Sequence, residues 1–289
     1  MFNVYSLKIE GEYSFEKINN SDFKDEMTEK EKNRIVEIYT AGKNVFNGSA
    51  VRLEKINIDK KINFKISKSS YFDLLSTNII YFKKEEILDR LNNLRLYEDV
   101  KLIETIINKI ETFSSNDSLE NILNNNYLAN TIAISVLVQD INGNFGLIRR
   151  GKNVAIGSGL LGVTASGGVD EVDYSETNPI LSCVYRELQE ELNIIPNSTK
   201  ISYVVMSKSK MQPIFLVNCS INESWNSIIT KVKNAKDYNS EVTKFYSVPG
   251  DVVINFIDGE NLTDAAYFHI YNSIDCVQKQ CSSKDKYEL

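Results

Sequence analysis

GGVDEVDYSETNPILSCVYRELQEELNI, running from Gly167 to Ile194, is the stretch whose reading decides the fold. Its second part, Pro179–Leu192, has the marks of a helix. Asn178 is a good N-cap and proline suits the first turn. Leu181, Val184, Tyr185, Leu188 and Leu192 recur at i, i+3, i+4, i+7 and i+11, which makes one apolar stripe. Glu187, Glu190 and Glu191 fall on a separate arc roughly 100° wide. Glu187 and Glu191 are an i,i+4 like-charge pair, worth about 0.2–0.5 kcal/mol of destabilisation on a bare helix. A hard divalent cation removes that cost. Mg²⁺ takes oxygen ligands, keeps several waters and completes its shell with substrate phosphates. The plainer reading is a solvated acidic face. The glycine pair, the arginine and the apolar stripe occurring together weigh against it.

Just upstream, Gly167-Gly168 allow a sharp bend and a close approach to a ligand. Placed between a strand and the acidic helix, they are expected to wrap a loop around the helix start. Arg149 and Arg150 end the preceding strand, and guanidinium groups bind phosphate well. They are the candidate substrate clamps, although solvated arginines at strand ends are common.

The run Arg186-Glu187-Leu188-Gln189-Glu190-Glu191-Leu192-Asn193-Ile194 resembles the Nudix signature, R-E-U-x-E-E-x-G-U, where U is aliphatic. Asn193 stands where the family has glycine, a mild change because Asn tolerates the left-handed conformation of a helix end. The upstream half departs further. Asn178 occupies the position of a family glutamate, eight residues before the arginine, and Val172 that of a glycine. A lengthened loop is implied, with Glu171, Asp173 or Glu176 supplying the missing carboxylate.

The resemblance implies an α+β fold: an α/β/α sandwich with a mixed sheet, preceded by a smaller α+β N-terminal domain. It implies Mg²⁺ or Mn²⁺ on Glu187, Glu190 and Glu191, with Gly168 beside them, and Gly167 next to the substrate. Arg186 would orient a helix glutamate by ion pairing. The reaction would be attack of water on a diphosphate, in a nucleoside diphosphate linked to a sugar, ribose or second nucleotide. A general base outside the box is expected in a late loop, where Glu241 is the candidate. A second function class is a sensor that binds such a metabolite without cleaving it, which the disturbed upstream half favours. An isomerase is disfavoured, because His269 is the sole histidine and acid–base partners are lacking.

Working outward, the chain has 289 residues, 42% hydrophobic, and carries a formal charge of -6 with pI about 5.1. That length suggests two domains, 1-125 and 126-289, joined through the Asn/Ser-rich Ser114–Asn126. The first half reads as strands at Asn3–Ile9, Val51–Ile56 and Ile62–Ile66, with helices at Thr28–Thr40, Glu85–Leu96 and Asp99–Thr112. Its expected role is to cap the site, to mediate a homodimer or to bind something else. The second half reads as strands at Thr131–Gln139, Phe145–Arg150, Ile201–Ser207, Pro213–Asn218 and Lys244–Val248, with Asn142-Gly143 as a hairpin turn and Leu262–Ile274 as a closing helix.

An acidic chain lacks the field that nucleic-acid phosphates require, so nucleic acid is not an expected partner. No stretch approaches the apolar length of a membrane span. Cys183, Cys219, Cys276 and Cys281 form no C-x-x-C pair, which suits a reduced, cytoplasmic protein. Cys183 is expected to be buried. His269, among Tyr267, Phe268 and Tyr271, is expected to pack rather than catalyse. Tyr71, Phe72, Tyr81 and Phe82 are core candidates, with stacking on a nucleobase as the sharper alternative.

Overall fold

The computed structural model describes residues 4–24, 27–40, 45–110, 118–151, 158–207 and 210–281. The strands are β1 (Val4–Lys8), β2 (Tyr13–Lys17), β3 (Ser49–Ile58), β4 (Ile62–Ser70), β5 (Ala133–Gln139), β6 (Asn144–Arg150), β7 (Leu161–Gly162), β8 (Ala165–Gly168), β9 (Ser198–Ser207), β10 (Pro213–Ser220) and β11 (Val242–Pro249). The helices of the first half are α1 (Glu29–Thr40), α2 (Tyr71–Leu74), α3 (Ile80–Phe82), α4 (Lys84–Asn93), α5 (Tyr97–Lys109) and α6 (Leu119–Leu123), with a π-helical turn at Leu75–Ile79 between α2 and α3. The second half adds α7 (Glu171–Ser175), α8 (Pro179–Leu192), α9 (Trp225–Lys233), α10 (Tyr238–Glu241), α11 (Val253–Ile257) and α12 (Asp264–Cys281).

The large sheet runs β1-β9-β10-β5-β6-β11, with β7 beside β6 and β8 beside β5. The β10–β5 pair is parallel and the other pairs of this sheet are antiparallel, so the sheet is mixed. Alternation along the strands supplies both of its faces. Ile134, Val136, Phe215 and Val217 point to α8, against Ile180, Val184 and Leu188. Leu137 and Leu147 point the other way, against Ala266 and Ile270 of α12. The architecture is therefore α+β, with helices on both sides of a mixed sheet. Among the described residues, no helix is long and apolar enough to cross a membrane.

A smaller sheet, β2-β4-β3, lies on the α8 side, where Phe15 and Phe64 meet Phe215 at ring-centroid distances of 6.0 and 5.1 Å. Packing crosses the expected boundary at 125/126. β1 pairs with β9, Val51 N donates to Val169 O at 2.9 Å, and Ile132 N donates to Val51 O at 2.7 Å. Val51, Leu53 and Phe64 share one core with Val136, Val184 and Phe215.

Three local features complete the fold. Tyr71–Phe82 is helical, with Ser70 capping it by accepting from Asp73 N. Ser114–Asn126 contains α6, while the residues of that stretch before Ser118, together with Asn3 and the helix end at Thr112, lie outside the described residues. The hairpin turn uses a left-handed backbone at Gly143 (φ 81°), and the side chain of Asp140 accepts from Asn142 N and Asn144 N.

Candidate metal and phosphate site

Helix α8 has the expected bounds and caps. Asn178 accepts from Leu181 N, Pro179 opens the helix, and Asn193 closes it in the left-handed conformation (φ 54°, ψ 41°). Its buried stripe is rotated from the expected one. Ile180, Cys183, Val184, Leu188, Glu191 and Leu192 are buried, while Tyr185 is 43% exposed. The helix packs on β8 and β5, neighbouring strands of the large sheet. It turns part of the acidic arc inward. Glu190 is partly exposed, Glu187 nearly enclosed and Glu191 buried, so the exposed arc expected from sequence becomes a gradient into the protein.

Burial has a direct electrostatic consequence. Desolvation pushes the Glu187 carboxyl up to about 7, opposed by Arg186. Desolvation and the charge of Glu187 push Glu191 well above the usual carboxylate range. The two carboxyls act on each other as like charges, which adds to the effect of burial. Glu191 Oε2 is buried and has no hydrogen-bond partner.

Arg186 organises the other acidic groups. Its Nη1 lies 2.7 Å from Glu187 Oε1 and 3.5 Å from Glu190 Oε2. Its Nη2 donates to Asp173 Oδ2 at 2.8 Å and to Gly168 O at 3.0 Å. The guanidinium thus holds Glu187, Asp173 and the Gly168 carbonyl together. Of the three upstream carboxylates, Asp173 is the one that reaches α8. It is fully buried, accepts from Asp170 N in the capping box of α7 and also accepts from Ser182 Oγ at 2.9 Å. Glu171 instead pairs with Lys68 at the surface, and Glu176 is exposed.

The glycine pair is a correction. Gly167 and Gly168 are not a bent loop but the end of β8, in register with Ile134 and Ala133. At Gly167 an added Cβ would lie 2.0 Å from Glu187 Oε1 and 2.8 Å from its Cγ, so the Glu187 side chain would have to move. At Gly168 an added Cβ would meet nothing within 4 Å. The Gly168 carbonyl is already engaged by Arg186 and by Cys183 Sγ at 3.3 Å.

The two arginines separate because successive residues of a strand face opposite ways. Arg149 turns from the site and pairs with Glu260 at 2.9 Å. Arg150 faces it. Its Nη1 donates to Ser166 Oγ at 2.6 Å, its Nη2 lies 3.9 Å from Glu241 Oε2, and its Nε is buried without a partner. Arg150, Gly167, Glu187 and Glu241 line a cavity of about 540 Å³. Tyr71 and Leu74 of the first half line it too, as does Lys210. Tyr71 is therefore both a packing residue and a wall. Lys210 had no sequence signal, being one of several lysines between strands. His269 is buried as expected. It bonds Ser135 Oγ at 2.9 Å, and burial pushes its imidazole down to about 3.

The donor set suits a hard cation: carboxylate oxygens, one of them orphaned, under a glycine that leaves room for Glu187. Among the described residues, no group of three or more His, Cys, Asp or Glu side chains is gathered around a single point that could hold a metal ion. The side chains account for this, since Arg186 draws on Glu187 and Lys236 holds Glu190 at 3.1 Å.

No family model and no curated protein matches the sequence. Solved structures do. A MutT protein from Methanosarcina mazei Go1 is 18% identical over 51% of this chain and 94% of its own, with a TM-score of 0.36. The Nudix domain of Shewanella oneidensis NrtR, solved with ADP ribose, is 16% identical over 50% and 87%, with a TM-score of 0.37. DR0079 from Deinococcus radiodurans is 14% identical over 48% and 80%, with a TM-score of 0.35.

Proposed function

We propose that this protein is a Nudix-type hydrolase, dependent on Mg²⁺ or Mn²⁺, that cleaves the diphosphate of a nucleoside diphosphate linked to another moiety. The observation that carries this reading is the buried Glu187–Glu191 pair with its orphaned Oε2. A buried polar atom left without a partner costs about 1–3 kcal/mol and is retained where a ligand uses it. Glu187, Glu190 and Glu191 would hold the cation. When bound, the cation supplies charge neutralisation at the diphosphate oxygens and a lowered pKa for the attacking water. Arg186 holds Glu187 and Glu190 in place, Arg150 binds phosphate, and Glu241 accepts a proton at the cavity wall.

A second reading is a metabolite-binding module without turnover. It is favoured by the absence of a closed carboxylate cluster among the described residues and by Asn178.

The test is phosphate-product release from ADP-ribose, nucleotide sugars, NAD and dinucleoside polyphosphates, with Mg²⁺, with Mn²⁺ and with chelator. Turnover of one compound that chelator abolishes supports hydrolysis. Glu190→Gln should lower kcat/KM by about 100-fold or more while leaving the melting temperature within a few degrees. Full activity in that variant would sink the metal assignment. A ligand that raises the melting temperature without being cleaved favours the module.

A further inference from the structure

We propose that Lys210 is a second phosphate-binding cation of the cavity, acting beside Arg150, on a backbone that the first half of the chain holds in place. The inference rests on the diphosphate reading and extends it to a residue that the sequence pattern does not mark. Lys210 and Arg150 line the same cavity as Glu187. Among the described residues, no ion pair includes Lys210. Burial, with the like charge of Arg150 added to it, pushes the ammonium down to about 8. Arg150 also keeps a buried donor, Nε, without an acceptor. Two cations lining one cavity raise the free energy of the empty site and lower it for an anion with several acceptor oxygens. Phosphate is that kind of anion.

The position of Lys210 is built, not left to a free loop. Met211 N donates to Ser207 O at 2.9 Å, with Met211 in the left-handed region (φ 50°). Asn78, fully buried in the π-helical turn, donates through Nδ2 to Met211 O and accepts through Oδ1 from Asn130 N at 3.2 Å. Gln212 Nε2 donates to Thr131 Oγ1 at 3.3 Å. One side chain of the first half thus ties together the segment carrying Lys210 and the segment leading into β5. Asn78 is a positioning residue and Lys210 a substrate-binding one.

The test uses α,β-methylene-ADP, whose bridging carbon resists hydrolysis, titrated calorimetrically into the full chain with Mg²⁺ at pH 7. Lys210→Met keeps the length of the side chain and removes its charge. It should weaken binding about tenfold or more, while Lys210→Arg stays within about threefold of wild type. For any substrate that turns over, Lys210→Met should raise KM more than it lowers kcat. Wild-type affinity in Lys210→Met overturns the proposal, and so does failure of the wild type to bind the probe. If Lys210→Met loses affinity but no diphosphate is ever cleaved, the phosphate subsite stands and the hydrolase reading falls.

Discussion

Glu191 is where the site and the fold make opposite demands. A carboxyl this deeply buried destabilises the protein unless protonated or given a partner, and its Oε2 has none. Glu191→Gln should therefore raise the melting temperature of the chelator-treated protein at pH 8 by a few degrees. The same variant should lose the stabilisation that Mg²⁺ gives the wild type. A fall in metal-free stability would mean that the carboxyl is structural. His269 gives a pH dependence of definite sign. Its folded value, about 3, lies below the ordinary 6.5, so the fold favours the neutral ring. That contribution is fully present above pH 6.5 and is lost as pH falls through about 3, because the unfolded chain takes up a proton the fold refuses. Urea melts at pH 7 and pH 4 should show the wild type losing a few kcal/mol more than His269→Gln. Equal losses would show that His269 does not titrate this way.

At the scale of elements, the site depends on how closely β8 approaches α8. Gly167 sets that distance for Glu187, whereas Gly168 faces open space. Gly167→Ala should cut turnover at least tenfold by displacing Glu187, and Gly168→Ala should change it less than twofold. Activity assays on the pair decide this, and equal effects would remove the special role of Gly167. The register of α8 explains the rest of the arrangement. Its N-cap at Asn178 and left-handed end at Asn193 fix the helix length, and on the packed helix Glu191 is buried while Tyr185 is exposed. Asp173, on its own short helix, is the upstream carboxylate that reaches Arg186.

For the whole molecule, the first half is part of the site's construction. β1 supplies an edge strand of the large sheet, β3 hydrogen-bonds to the chain on either side of β5 and β8, and Tyr71 and Leu74 wall the cavity. The fragment 126–289 should then lack a cooperative melting transition when expressed alone, since it loses β1 and the apolar face of β3 and β4. The full chain should unfold in one transition by circular dichroism. A well-folded fragment would show instead that 126–289 folds as an independent domain.

Much of this was legible in the sequence wherever the information is local. Helix α8, its caps, the Arg186 and glutamate cluster and most large-sheet strands follow from periodicity and capping, which act over a few residues. The mixed α+β character follows from the order of those elements. Other features rest on contacts between residues distant in sequence. The depth of Glu191, the choice of Asp173 over Glu171, the split of Arg149 from Arg150, and Lys210 in the cavity are of this kind. β1 beside β9 and Asn78 beside Met211 belong with them. Short-range physics determined which elements form and where the acidic motif lies. Tertiary packing alone decided which charges are buried together, because desolvation and ion pairing depend on what the rest of the chain brings to the same place.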